Sequence, residues 1–168
     1  MKWLLLFLLT LLYSCKGNFS AHLSHDQQGL YKLAGKFVQE YKDSNESTTR
    51  EKLVMQEQIR LQAHLRDVCK DSLDQMKVRL RKLEIKPGGH LLAEFTDNNC
   101  RYFFHQTYSG EKEMKADTIY QMLASLKKDT DITMRFLCTG NVKVNSVDDG
   151  DKLFEIAVIP KAIEAQAS

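Results

Sequence analysis

Residues 48–86 contain neither proline nor glycine, and this uninterrupted stretch constrains the fold more than any other feature of the chain. With about 100° between successive residues, Val54, Leu61, Leu65, Val68, Cys69, Leu73, Met76, Leu80 and Leu83 fall within about 140° of arc. Spacing of that kind predicts one long helix, straight or bent, with a single buried face. Asp71 and Asp74 precede Lys77, Arg79, Arg81 and Lys82, the charge order that complements a helix dipole near its carbonyl end. Thr48-Thr49-Arg50-Glu51 has the form of a capping box at its start, and Pro87-Gly88-Gly89 stops it. Leu53, Ile59, Val78 and Ile85 lie off the stripe and predict a second, partly covered face.

An earlier helix is expected over residues 24–42. Ser24-His25-Asp26-Gln27 is another capping box, and Leu30, Leu33, Ala34, Phe37, Val38 and Tyr41 recur at three- and four-residue steps. Beyond residue 89 the period changes to two. Leu91, Ala93 and Phe95 share one strand face, Asp97-Asn98-Asn99 supplies a turn, and residues 100–108 form the hairpin partner. Asp117 caps a short helix carrying Ile119, Met122, Leu123 and Leu126. Strands are expected again over 132–138, 142–147 and 153–159, with a frayed tail from Lys161. The fold class is therefore α+β: an N-terminal helical hairpin (24–86) whose long helix packs on a curved, mostly antiparallel sheet of about five strands (89–160), plus one inserted helix. Cystatin-like and nuclear-transport-factor-like folds share this element order by analogy alone. The Gln-x-Val-x-Gly loop of a cystatin inhibitor is missing.

Lys2 followed by a leucine-rich run to about Tyr13 reads as a secretory leader, with maturation after Gly17 and a single domain over 18–168. Leu12-Tyr13-Ser14-Cys15 offers the alternative of a lipid anchor on Cys15. The run falls short of the roughly 20 residues that cross a bilayer, so no transmembrane segment is expected. Asn45, in the polar break 43–49, is the expected glycosylation site. An oxidising compartment makes Cys100–Cys138 the expected disulfide, both lying at strand ends. Cys69 is then left as a buried thiol or as the link of a dimer.

Lys plus Arg total 24 against 22 for Asp plus Glu, a formal charge of +2 that argues against a nucleic-acid partner. Phosphate loops, dinucleotide fingerprints and nucleophile elbows are absent, so no cofactor and no catalytic residue are assigned. No metal is assigned either: His22 and His25 lack a third ligand nearby, and Asp148-Asp149-Gly150-Asp151 lacks the rest of a calcium loop and reads as a tight turn. His64, opposite the apolar stripe, is expected in solvent. Lys77, Arg81 and Lys82 are candidate anion-binding residues on the long helix, and Tyr102, Phe104, Met134 and Phe136 are candidates to face a ligand.

These features point to a secreted, non-catalytic protein that binds an extracellular protein or a small apolar ligand in the helix–sheet gap. Two alternatives stand beside it. One is a small secreted enzyme with Glu94, His105, Arg135 and Glu155 drawn from separate strands. The other is a protease inhibitor with a wedge at Pro87-Gly88-Gly89 or Thr139-Gly140-Asn141. A dry cavity would favour a carrier, and a filled core with an exposed apolar patch would favour protein recognition.

Overall fold

The computed structural model describes residues 23–166; the expected leader, Cys15 and His22 lie outside the described residues. The chain forms helix α1 (His25–Asp43) and helix α2 (Ser47–Asp67), then strands β1 (Ser72–Lys86), β2 (His90–Thr96) and β3 (Cys100–Thr107). Two short helices, α3 (Glu111–Ala116) and α4 (Thr118–Ala124), lead to β4 (Asp131–Val144) and β5 (Phe154–Gln166). This is the expected α+β class with a curved, mostly antiparallel five-stranded sheet. The sheet closes into a barrel in the order β1-β2-β3-β5-β4, and β3 and β5 form its one parallel pair.

The long helix is divided. It stops at Asp67, and residues 72–86 are a strand. Lys70 (φ 52°) and Asp71 (φ 58°) take left-handed conformations, and the Asp71 amide closes onto the Leu65 carbonyl at 2.9 Å. Glycine usually marks such a stop because other residues pay roughly 1–2 kcal/mol each for that conformation, so the signal is missing from the sequence. In β1, Leu73, Met76, Val78 and Leu80 point inward and are buried. Register shifts between Leu73 and Met76 and between Leu80 and Lys82 each insert extra chain, the first with Gln75 at φ 53°. These bulges stretch the two-residue strand period to three at both places, so Leu73, Met76, Leu80 and Leu83 imitate a helical row. The off-stripe Val78 was the strand's own signature.

Other boundaries moved for local reasons. Thr139-Gly140-Asn141 does not join two strands; it is a bulge within β4, where Cys138 pairs with Val158 and Val142 with Ile156, and Gly140 has φ 84°. β5 passes through Pro160 into the segment expected to fray. Pro160 sits beyond the β3 pairing, which ends at Ala157, and at a register shift against β4, where a missing amide costs the ladder little. α2 begins at Ser47 behind Glu46 with no side-chain cap, so the second capping box is unused.

The helical hairpin packs against β1 and β4. Leu30, Ala34, Phe37 and Tyr41 of α1 and Leu61 and Leu65 of α2 are buried in the same core as the barrel. Ser24 caps α1 as expected, accepting from the Gln27 amide at 3.2 Å. The Gln27 side chain does not complete the box. It donates to the Lys77 carbonyl at 2.9 Å and to Asp97 Oδ2 at 3.0 Å, and accepts from the Lys77 amide at 3.2 Å, fastening α1 to β1.

His64, expected in solvent, is half-buried against α1. A Cβ on Gly29 would stand 2.8 Å from its Nε2, and that nitrogen has no partner. Burial lowers the His64 pKa below its usual 6.5, the charge of Asp26 opposing this and that of His25 adding to it. A lowered folded-state value means stability that is full above the unfolded pKa and declines as pH falls through it toward the folded one. Urea midpoints measured at pH 7.5 and pH 5 are expected to fall further in the wild type than in His64→Gln.

Candidate functional site

The barrel interior is filled. Phe95, Tyr102, Phe136 and Phe154 are fully buried, and Phe136 lies 5.3 Å from both the Phe95 and the Tyr102 rings. Tyr102, Phe104, Met134 and Phe136, expected to face a ligand, are instead the side chains that occupy this interior. Alternation sends them inward because each follows an outward residue on a strand curved around the core.

The outward residues of β2 and β3 make a different surface. His90, Leu92 and Glu94 on β2 stand opposite Thr107, His105 and Phe103 on β3. Leu92 and Phe103 are part-exposed, and His105 is exposed. The His90 and His105 rings stack at 5.8 Å, and His90 Nδ1 lies 3.0 Å from Thr107 Oγ1. Arg101 lies over the Phe103 ring at 5.7 Å. Its guanidinium also meets Glu94 at 3.4 Å, Glu155 at 3.6 Å and Asp151 in a short ion pair. On β1 the bulge after Leu80 turns Lys82, Glu84 and Lys86 toward the same side, opposite Glu94, Leu92 and His90. Lys82 and Glu84 are paired at 3.0 Å. The result is an aromatic and aliphatic centre with a rim of both charge signs, each cation facing an acid.

Such a rim does not suit a polyanion, because binding one would first break these pairs. Of the three expected anion-binding residues, Arg81 meets Asp129 at 2.9 Å and Lys82 meets Glu84 at 3.0 Å, while Lys77 stands opposite Thr133 of β4. Of the four enzyme candidates, Glu94, His105 and Glu155 share the outer face, but Arg101 neutralises both carboxylates. Arg135 is elsewhere on β4, tied to Asp74 at 2.7 Å and Glu164 at 3.4 Å. The acidic turn is held by cations and a hydroxyl: Tyr41 donates to Asp148 at 2.9 Å, Arg50 lies 3.3 Å from it, and Asp151 binds Arg101. Pro87-Gly88-Gly89 is the β1–β2 turn, and it is tied down by the Tyr108 amide donating to Gly89 at 2.9 Å. Asn45 is exposed between the two helices.

Cys100 and Cys138 do not pair. They flank β5 on opposite sides, Cys100 opposite Phe154 and Cys138 opposite Val158. Four residues of strand separate them by about 13 Å along β5 alone, far outside the reach of a disulfide. Both are buried free thiols, as is Cys69.

Glu94, His105 and Glu155 were singled out only as enzyme candidates and not joined to Leu92, Arg101 and Phe103, although strand alternation puts Arg101, Phe103 and His105 on one side of β3. What the alternation lacked was the partner strand: only the hairpin register shows that Leu92 and His90 lie beside them.

Closed order β1-β2-β3-β5-β4, a parallel β3–β5 pair and helices between β3 and β4 together define a Greek-key barrel arranged as in the OB architecture. No family model, no curated protein and no solved structure matches the chain. No helix among the described residues is long and apolar enough to cross a membrane. Likeness of architecture carries no function by itself.

Proposed function

We propose that this is an exported, non-catalytic binding protein that recognises a protein partner across the outer face of β2 and β3. One observation carries the reading. On the outer face of β2 and β3, part-exposed Leu92 and Phe103 stand beside the stacked His90 and His105 rings, while the inside of the barrel is packed with aromatic rings. An aromatic centre within a charged rim is the pattern of protein interfaces, in which a few buried anchors supply most of the affinity. Mixed charges at Lys82, Glu84, Glu94 and Arg101 call for a partner surface that also carries both signs. A small apolar ligand inside the barrel is disfavoured because Tyr102 and Phe136 already stack there. The enzyme reading is disfavoured by the ion pairs that occupy Glu94 and Glu155.

A photo-crosslinking residue at position 105, compared with one at position 62 on the exposed side of α2, tests the assignment in cells that make the protein. A discrete adduct from position 105 alone is expected, weakened about tenfold or more by Phe103→Ala. Phe103 lies outside the barrel, so the variant keeps its fold. Equal adducts from both positions, or an adduct indifferent to Phe103→Ala, would overturn the proposal.

A further inference from the structure

The ladder between β1 and β4 ends where Arg79 stands opposite Asp131. Its last bonds are those of Leu80, whose amide donates to the Thr130 carbonyl at 3.3 Å and whose carbonyl accepts from the Asp129 amide at 2.7 Å. From Lys82 to Lys86, among the described residues, the strand is paired on one side only, with β2. The hairpin decides which groups point to the unpaired side. The Tyr108 amide donates to the Gly89 carbonyl at 2.9 Å and the Asp97 amide to the Cys100 carbonyl at 3.1 Å, so the odd-numbered residues of β2 face β3. His90, Leu92 and Glu94 then face β1, and their partners Lys86, Glu84 and Lys82 use their backbone groups on that ladder. Leu83 and Ile85 therefore turn their N–H and C=O groups outward, along the same edge on which Leu80 is still held. Charges that point inward commonly guard such an edge. Here the inward positions are apolar Leu83 and Ile85, and Ile85 is 50% exposed. Lys82, Glu84 and Lys86 are on the other side and alternate in sign.

We infer that this edge pairs with the same edge of a second copy of the chain, antiparallel, about a two-fold axis at Ile85. Two neighbouring registers fail. Centred on Glu84, the pairing sets Glu84 against Glu84 and Lys82 against Lys86, all like charges. Centred on Leu83, it drives Lys86 of one copy into the place beside Leu80 that Thr130 and Asp129 already occupy. Centred on Ile85, it sets Glu84 of each copy opposite Lys86 of the other and Leu83 opposite Pro87. The two Ile85 residues then exchange both backbone bonds, and each covers the other's side chain. Within one copy Glu84 meets Lys82 at 3.0 Å and Lys86 at 3.9 Å, so the second copy extends a row of alternating charge. The overlap takes in residues 83–87 alone, which leaves Leu92, Phe103 and His105 uncovered and presents both outer faces on one side of the joined sheet. An overlap this short belongs with the small, transient interfaces below about 1,200 Å², so the dimer forms with concentration.

Sedimentation velocity of the full chain from about 10 µM to about 500 µM, a range that spans weak association, reads the equilibrium. The wild type is expected to move from the mass of one chain toward twice that mass. Glu84→Lys alone and Lys86→Glu alone each set like charges across the axis and should weaken association about tenfold or more. An equal mixture of the two single variants restores opposite charges at every position and should dimerise as the wild type does, as should the double variant. Recovery in the mixture also shows that both variants are folded. Phe103→Ala should leave the dimer unchanged, which keeps this edge distinct from the outer face of β2 and β3. A wild type that stays monomeric throughout would leave the edge to a strand of some other protein and overturn the inference. Single variants that associate as well as the wild type, or a mixture that stays monomeric, would overturn it too.

Discussion

Phe136→Ala is expected to cost about 3–5 kcal/mol of folding free energy, read as a fall in the urea midpoint at unchanged slope. The ring is fully buried at the centre of the barrel, stacked on Tyr102 at an interplanar angle of 11° and tilted against Phe95 at 58°. Truncation loses the transfer free energy of the ring and leaves a void that strands locked in a closed ladder cannot collapse to fill. Leu137→Ala is the control. Leu137 follows Phe136 in sequence but faces outward and is 37% exposed, so its loss should stay within about 0.5 kcal/mol. Equal costs at the two positions would show that the β4 register is wrong. A cost near 5 kcal/mol is a large part of the 5–15 kcal/mol that holds a typical domain together, so Phe136→Ala should also denature at a visibly lower temperature.

Asp97→Ala should destabilise by about 3 kcal/mol or more, through a different mechanism. Oδ1 accepts from the Asn99 amide at 2.9 Å and the Cys100 amide at 2.8 Å, pinning the β2–β3 turn. Oδ2 accepts from the Tyr102 hydroxyl at 2.8 Å and from Gln27 Nε2 at 3.0 Å, joining the barrel interior to α1. Removing the carboxylate leaves these donors short of an acceptor, and those of Gln27 and Tyr102 are fully buried. Asp97→Asn should fall between, because an amide keeps one oxygen for the turn but sets its NH2 against the NH2 of Gln27. Chemical denaturation of the three proteins gives the ranking, and an alanine variant as stable as wild type would remove Asp97 from the account of how the hairpin is fastened.

Legibility followed the range of the interactions. The bounds of α1, the Asp117 cap and the β2–β3 hairpin are local matters of cap chemistry, period and turn residues, and each was readable. Asp117 accepts from the Ile119 and Tyr120 amides at 2.7 and 3.1 Å, as its position before an apolar run implied. The failure over 72–86 came from two bulges, which have no composition of their own here: Gln75 adopts φ 53° without being glycine. Bulges exist only with respect to a partner strand: the partner at Gln75, β4, is remote in sequence, and β2, only a turn away, reveals the second bulge only once residues 72–86 are themselves paired as a strand. The same limit explains the cysteines. Strand-end positions made Cys100 and Cys138 look equivalent, whereas the insertion of β5 between β3 and β4 separates them.

By itself the sequence determined an α+β chain with a capped first helix, a hairpin at 90–107 and the inward or outward sense of nearly every residue in it. Those features depend on neighbours within a few positions, where period and hydrogen-bonding geometry leave little choice. Tertiary structure alone decided that residues 72–86 pair as a strand, that the sheet closes and fills its own interior, and that Leu92, Phe103, His90 and His105 meet on the outer surface. Barrel closure is a condition on all five strands at once, and the energy that selects it, burial of the aromatic rings shared by the strands, belongs to no single segment.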